Sequence, residues 1–368
     1  VETLRIAWFN WKCIRHPEAG GAERFTHEVA RRLVDNGHEV TLVTSRPEGF
    51  PAEEEVEGYR VLRAGGTYTV YLKASKTYME KLRGRVDLVV DEVNTLPFFT
   101  VKYAKEPIVA LIHQLAREYW LLEVKPPMSW IGYILEPKYL SLYKDILAIT
   151  VSESTKRDLE ELGFKRIYIV PEGLNMKPLE KPPEKNGDPA VIFLGRLKKT
   201  KHPDHAIKAF KLVVEKVPDA RLWIVGDGPL KSKLHKLVKK LKLEGRVMIY
   251  GWVDEERKVE LLREAQALVF PAVREGWGLV VIEANACGTP AVGYDVPGLR
   301  DSIRHGETGI LVKPGDLEAL AEALTSLLKD DMLREKMSRN ALEWSKKFSW
   351  DKTAEEFMKV IELSFNGR

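Results

Sequence analysis

Cysteine is nearly missing from this 368-residue chain. Cys13 and Cys287 are the two present, with neither a disulfide framework nor a metal-ligand spacing between them. That scarcity fits a reducing compartment, so the cytoplasm is the expected location. Long apolar runs are missing too. No stretch of 18 apolar residues occurs, and the chain starts on a strand-like Leu4-Arg-Ile-Ala-Trp-Phe9 rather than a signal peptide. Glutamine stands at 114 and 266 alone while Lys, Arg and Glu abound, a balance expected of a thermophile. Nor is there a large charge excess: 58 basic and 54 acidic side chains leave a net +4. That argues against nucleic acid as a partner without opposing an anionic ligand or membrane surface. No Asp-x-Asp is present to hold a metal on a diphosphate. No Gly-x-Gly-x-x-Gly follows the first strand, and Glu39–Thr44 ends in Ser45-Arg46 without an acid for a ribose, which counts against a nicotinamide dehydrogenase.

What is there is a globular composition, 44% hydrophobic and 30% charged, in a chain longer than one core normally serves, so two domains are expected. The first half alternates strand and helix. Leu4–Phe9 reads as a strand, 11–21 as a glycine-containing loop, and Ala22–Asn36 as a helix with Phe25, Val29, Leu33 and Val34 on one face. Gly37 caps it before the strand Glu39–Thr44. Apolar runs Val86–Val90, Ile108–Ile112, Ile146–Val151 and Ile167–Val170 extend a parallel sheet. A second alternation, with strands near 190–194, 220–225, 247–250, 267–270, 290–293 and 309–312, follows a Pro- and Lys-rich stretch at 178–189. The expected division is an N-terminal domain over 1–170, a linker over 171–188, a C-terminal domain over 189–348, and a final helix within 349–368 that packs back on the first domain. Both domains read as doubly wound Rossmann-like α/β folds facing a central crevice, with ligands at the carboxyl ends of strands.

Two segments carry chemistry. Glu275-Gly-Trp-Gly-Leu-Val-Val-Ile-Glu283 sets two carboxylates around a glycine turn after the strand Leu268–Pro271. A helix starting near Gly278 would aim the free N–H groups of Gly278, Leu279 and Val280 at an anion. Glu283 then suits a ribose diol and Glu275 sugar hydroxyls, although an acid compensating a helix dipole reads equally well from the pattern. Gly195-Arg196-Leu-Lys-Lys-Thr-Lys201 lies between a strand and the helix that Pro203 starts. Its fork and point charge suit a pyrophosphate, and a solvated basic loop is the plainer alternative.

Together with Gly20-Gly21-Ala22-Glu23, Val151-Ser-Glu-Ser-Thr155, Gly226-Asp-Gly-Pro-Leu230, Gly251-Trp-Val253 and Cys287-Gly-Thr-Pro-Ala-Val292, these segments resemble the retaining glycosyltransferases of family 4, which have the GT-B architecture. The resemblance spans nearly the whole chain, and its specificity lies in the order and spacing of the set. It implies that Arg196 and Lys201 neutralise the donor's diphosphate and that Glu283 binds the ribose. Glu275 with Gly276, Trp277, Gly278, Leu279 and Val280 would hold the transferred sugar and its phosphate, and Gly251, Trp252 and Val253 would flank the base. Gly195 would open the basic loop, Gly20 and Gly21 would admit the pyrophosphate, and His113 would lie beside the transferred sugar. The implied reaction moves a hexose-type sugar from a UDP- or GDP-linked donor to a hydroxyl acceptor with retention and without a metal or other cofactor. The departing phosphate would help deprotonate the acceptor on the face it leaves. One departure stands out: Val170-Pro-Glu172-Gly173 where the family commonly has Asn-Gly, so that Glu172 either selects a substrate or caps a turn.

Other features keep two readings. His202-Pro-Asp-His205 resembles a ligand pair but lacks further ligands nearby in sequence. Lys231–Lys242 spaces six lysines among Leu234, Leu237, Val238 and Leu241, as a solvated amphipathic helix or a membrane-surface one. The aromatic and apolar run Pro127–Leu135 through Tyr143, flanked by Lys125, Lys138 and Lys144, reads as a buried helix, a dimer contact or a dock for a lipid-linked acceptor at the cytoplasmic membrane surface. Arg117, Tyr119 and Trp120, just after His113, are candidates for the same acceptor region. A nucleotide-sugar epimerase of the same fold and a non-catalytic nucleotide-sugar-binding protein remain the competing functions.

Overall fold

The structure, a computed structural model, describes residues 3–185 and 187–365. Strands form where β-branched and aromatic residues cluster, and helices follow where apolar residues recur at three- and four-residue spacing. In chain order the first elements are β1 (Arg5–Phe9), α1 (Gly21–Asp35), β2 (Glu39–Thr44), β3 (Glu53–Val56), β4 (Tyr59–Arg63), α2 (Val70–Thr77) and β5 (Leu88–Glu92). Then come β6 (Ile108–Leu111), α3 (Arg117–Glu123), α4 (Met128–Leu140), β7 (Leu147–Thr150), α5 (Glu153–Glu161) and β8 (Ile167–Ile169). The second run holds β9 (Ala190–Leu194), α6 (Pro203–Lys216), β10 (Arg221–Val225), α7 (Lys231–Lys240), β11 (Val247–Gly251), α8 (Glu255–Glu264) and β12 (Ala267–Phe270). It continues through α9 (Leu279–Ala286), β13 (Ala291–Tyr294), α10 (Leu299–Ser302), β14 (Gly309–Val312), α11 (Leu317–Lys329) and α12 (Asp331–Ser345), and α13 (Trp350–Glu362) closes the chain.

The chain forms two compact units: Val1–Arg117 with Trp130–Gly173 and Phe348–Arg368, and Glu118–Ser129 with Leu174–Lys347. The second set of bounds has two consequences for the sequence reading. Residues 118–129 belong with the second unit although they lie within the first domain's sequence. Of the stretch 171–188 expected as a linker, 171–173 stay with the first unit and the part from Leu174 on belongs to the second. Leu179 N–H donates to the Ala286 carbonyl at 2.9 Å, and Lys185 Nζ donates to the carbonyls of Arg263 and Ala265 at 2.7 Å each.

The first unit is an eight-stranded sheet in the order β3-β4-β2-β1-β5-β6-β7-β8. All pairings are parallel except the β3–β4 hairpin at its edge, which the periodicity did not predict. Glu53-Glu-Glu-Val56 is too acidic to read as a core strand, and edge strands of that kind resist pairing with a second molecule. α13 packs on α1 in this unit. Trp8 stacks on Phe357 with centroids 5.0 Å apart, Phe25 meets Trp350 and Phe357 edge-on, and Arg32 Nε donates to Asp351 at 2.6 Å. Gly173 makes the seat for α13, because a Cβ there would lie 2.3 Å from the Trp350 backbone nitrogen.

The second unit is a six-stranded parallel sheet in the order β11-β10-β9-β12-β13-β14. Each sheet reverses direction beside its own first strand, between β1 and β5 in one and between β9 and β12 in the other. In open α/β sheets that reversal leaves a gap at the strands' carboxyl ends, where ligands bind.

Candidate active site

At the second reversal, β9 delivers Gly195 and Arg196, and Arg196 stands exposed. A short helical turn carries Lys201 back toward the loop after β12, where the Val273 N–H donates to the Thr200 carbonyl at 3.0 Å. The result is a close ion pair between Lys201 Nζ and Glu275 Oε1, both largely shielded from solvent. Seventy-four residues separate them in sequence, so no local spacing announces the pair. Glu275 is pinned from behind, its N–H donating to the Pro297 carbonyl at 3.0 Å. Gly298, at φ +82°, lies so near that a Cβ would sit 2.1 Å from the Glu275 carbonyl oxygen.

Gly276 and Trp277 lead into Gly278, which precedes α9 at φ +93°. Leu279 and Val280 therefore occupy the first turn, where N–H groups lack helical acceptors, as the glycines predict. Glu283 sits one turn in, and its Oε1 accepts from Lys258 Nζ at 2.9 Å. Burial opposes charge on Lys258, but Glu283 and Glu255 outweigh it and raise the ammonium's pKa. The sequence reading missed Lys258, since it lies on α8 among ordinary surface charges. At the end of β11, Gly251 and Val253 flank Trp252, a residue 77% exposed.

Arg117, Tyr119 and Trp120 all lie on α3, where the Tyr119 and Trp120 rings have centroids 6.4 Å apart. Arg117 stays with the first unit, its guanidinium 4.3 Å from the Tyr133 ring and 4.0 Å from Glu136. Trp120 is buried, and the rest of α3 goes with the second unit. There Glu118 accepts from Arg274 Nε at 2.5 Å, and Glu123 accepts from the Thr200 N–H at 2.9 Å and its hydroxyl at 3.0 Å. α3 thus contacts the neighbours of both Lys201 and Glu275, a role its sequence does not signal.

In the first unit, Gly20 caps α1 and its N–H donates to Glu23 at 2.5 Å; Gly21 begins the helix. Burial pushes the Glu23 carboxyl up, the Gly20 bond opposes that, and nearby Glu92 adds to it. His113 follows β6, buried, with Nε2 3.1 Å from Glu92 Oε1 and Nδ1 3.4 Å from Glu172 Oε1. Glu92 in turn accepts from Trp8 Nε1 at 2.7 Å and from the Thr26 hydroxyl. Burial disfavours charge on the ring, yet the two carboxylates override it and lift the His113 pKa to about 10. Glu92 is a second residue that the sequence reading missed. The available signal is an acidic pair, Asp91-Glu92, ending an otherwise apolar strand.

His202, Asp204 and His205 place three metal-capable atoms within 4.8 Å of one another. Lys208 already donates to Asp204 at 2.7 Å, and His205 Nδ1 lies 2.8 Å from the Tyr294 hydroxyl. Hydrogen bonds from His202 and Lys208 hold the Asp204 carboxyl below its usual range against burial. On the surface, Lys231–Lys240 forms the amphipathic α7 with Leu234 and Val238 inward. The α4 face differs from a buried helix: Trp130, Ile131, Ile134 and Leu135 are exposed, with Lys138 exposed one turn further on.

Two parallel-sheet α/β domains, each with its own reversal of strand order, are the GT-B architecture of glycosyltransferases. The family model for "Glycosyl transferases group 1" matches residues 177–344, and that for "Glycosyltransferase Family 4" matches residues 19–177. The phosphatidyl-myo-inositol mannosyltransferase of Mycobacterium leprae (strain TN) is 33% identical over 278 residues, 73% of this chain and 70% of that protein. The sucrose-phosphate synthase of Thermosynechococcus elongatus superposes with a TM-score of 0.83 at 21% identity, covering 99% of this chain and 100% of the other. HepE of Anabaena, solved with UDP and glucose, superposes at 0.74 with 17% identity over 98% of this chain and 99% of its own. The chain belongs to glycosyltransferase family 4, among the group 1 glycosyl transferases.

Proposed function

We propose that this glycosyltransferase moves a hexose-type sugar from a UDP- or GDP-linked donor to a hydroxyl acceptor, with retention and without a metal ion. The observation that carries the reading is the Lys201–Glu275 pair at the carboxyl ends of β9 and β12, just ahead of α9. Lys201, exposed Arg196 and the α9 N–H groups offer positive charge where a diphosphate leaves, which is the work a metal would otherwise do. Double displacement needs a carboxylate free to attack the anomeric carbon. Glu275 is tied to Lys201 and Glu283 to Lys258, which favours departure and attack on one face, the leaving phosphate taking the acceptor proton.

A panel of nucleotide-sugars tests this directly. The matching UDP or GDP donor is expected to stabilise the protein by about 2.7 kcal/mol at a hundred times its Kd. Transfer followed by NMR should give the donor's anomeric configuration, and a chelator should leave the rate unchanged. Inversion, chelator sensitivity or no stabilisation by any donor would each count against the reading. An epimerised nucleotide-sugar formed without acceptor would shift the function to the epimerase, and binding without turnover to a non-catalytic binder.

The acceptor we assign is lipid-linked and met at an anionic membrane surface. Trp130, Ile131, Ile134 and Leu135 share one exposed face of α4, and Lys138 and Lys144 are exposed beside it, an apolar strip with a basic margin. No helix among the described residues is long and apolar enough to cross a membrane. Flotation with vesicles containing anionic phospholipid should recover the native protein, and the Trp130→Asp, Ile134→Asp variant should lose at least about tenfold in binding. Equal recovery of the two proteins would remove the membrane from the assignment.

A further inference from the structure

His113 is gripped from both ring nitrogens by carboxylates that reach it from different parts of the first unit. Glu92 ends β5, and Glu172 follows β8, three strands later in the chain. Side-chain exposure is 8% for His113, 0% for Glu92 and 7% for Glu172, so none of the three is relaxed by bulk water. A buried carboxylate without a cation is costly, and two of them around one imidazole demand that the ring carry the charge.

We propose that Glu172 is a positioning residue: with Glu92 it brackets the two ring nitrogens of His113 and keeps the ring a fixed cation. The inference rests on the transferase reading for its consequence but not for its geometry. His113 then serves as a permanent positive charge at the carboxyl end of β6, and it is removed from the candidates for the base that takes the acceptor's proton. Glutamate at 172 supplies a full negative charge where an amide would supply none.

The neighbours on every packed element agree with this. α1 presents the Phe25 ring edge at 5.2 Å from the imidazole, and its Glu23 lies near Glu92 and near buried Lys12. α5 presents the uncharged Thr155, whose hydroxyl donates to the His113 carbonyl at 3.0 Å. α13 presents Trp350, which touches Phe25. The charges that set the ring's ionisation are therefore Glu92 and Glu172, with no cation among the causes of its shift. Glu92 is further occupied by Trp8 and Thr26, whereas Glu172 meets Nδ1 off the line of a hydrogen bond.

The sign of the linkage follows from the raised pKa. His113 contributes stability that is complete below its unfolded value near 6.5 and is lost as pH rises toward about 10. Removing the Glu172 charge should bring that window down.

The test uses the full chain with and without Glu172→Gln and Glu172→Asp. Imidazole nitrogen NMR of the ligand-free protein should show His113 doubly protonated up to about pH 9 in the native chain. Glu172→Gln should drop its pKa by roughly one to three units, and Glu172→Asp should restore most of the shift. In transfer assays the native enzyme should show no descending limb from His113 below about pH 9, whereas Glu172→Gln should acquire one. A native His113 titrating near 6.5, or a Glu172→Gln variant with the native imidazole pKa, would overturn the proposal. A purely structural Glu172 would lower the melting temperature of both variants and leave the imidazole pKa in place, which also overturns it. Because the NMR arm needs no substrate, a protein that transfers nothing would refute the transferase reading and leave the clamp to be judged on its own.

Discussion

Lys201→Ala should cut turnover at saturating donor by more than about 10²-fold, the scale of losing one group that stabilises a departing charge. Arg196→Ala should fall in the same class but less far. The asymmetry comes from what each cation leaves behind. Arg196 is exposed, and its removal leaves solvent. Lys201 is paired with Glu275, so its removal leaves a shielded, unpaired carboxylate at the proposed diphosphate site. About 10²-fold in rate is about 2.7 kcal/mol of transition-state stabilisation, and the unpaired Glu275 adds repulsion to that loss. The Lys201→Ala, Glu275→Gln double variant should recover part of the donor affinity but not of the turnover. Initial rates at saturating donor decide it, and native rates in either single variant would take the diphosphate away from these side chains.

Gly298→Ala is the second change with a large expected effect. A Cβ at 298 would lie 2.1 Å from the Glu275 carbonyl oxygen and 2.5 Å from its carbonyl carbon, both backbone atoms that have little freedom to retreat. At φ +82° an alanine also carries the left-handed penalty of about 1–2 kcal/mol. Glu275 and the turn ahead of α9 must shift, and a displacement of the order of 1 Å at reacting groups costs about 10² in rate. Gly306→Ala supplies the comparison. It shares a left-handed φ of +76° but has open space around it, so it should lose stability through φ alone and keep its rate. Thermal melts and kcat on both variants separate the clash from the strain. If Gly298→Ala keeps the native rate, the 297–298 turn does not hold Glu275 in place.

Much of the fold was legible because strand and helix signals are local. β2, β9, β12 and β14 fall at the residues where the apolar runs lie, and Pro203 starts α6 as its fixed φ suits. The β3 edge strand escaped because its acidic residues answer to solvent and not to a core. At the candidate site, the residue types and their strand-end positions could be read, but their pairings could not. Lys201 meets Glu275, Lys258 meets Glu283, and Glu92 with Glu172 enclose His113, each partner coming from a different crossover of the sheet. Spacing along the chain says little about such pairs, since the distance between them is set by strand order. Glu172 shows the limit from the other side. From the sequence it could select a substrate or cap a turn, and its contact with His113 becomes visible when the carboxyl ends of β6 and β8 are brought to one end of the first sheet.

The return of α13 to the first unit makes the second a cassette. Most of that unit is an uninterrupted insert from Leu174 to Lys347, entering after Gly173 and leaving before Phe348. A fragment ended at residue 173 would strip Phe357 from Trp8 and Trp350 from Phe25, exposing an aromatic core that the missing helix was built to cover. Exchange of the insert between relatives keeps that core whole. Residues 118–129 are the one piece that such an exchange must carry along, because Glu118 and Glu123 are bonded to Arg274 and Thr200 of the cassette.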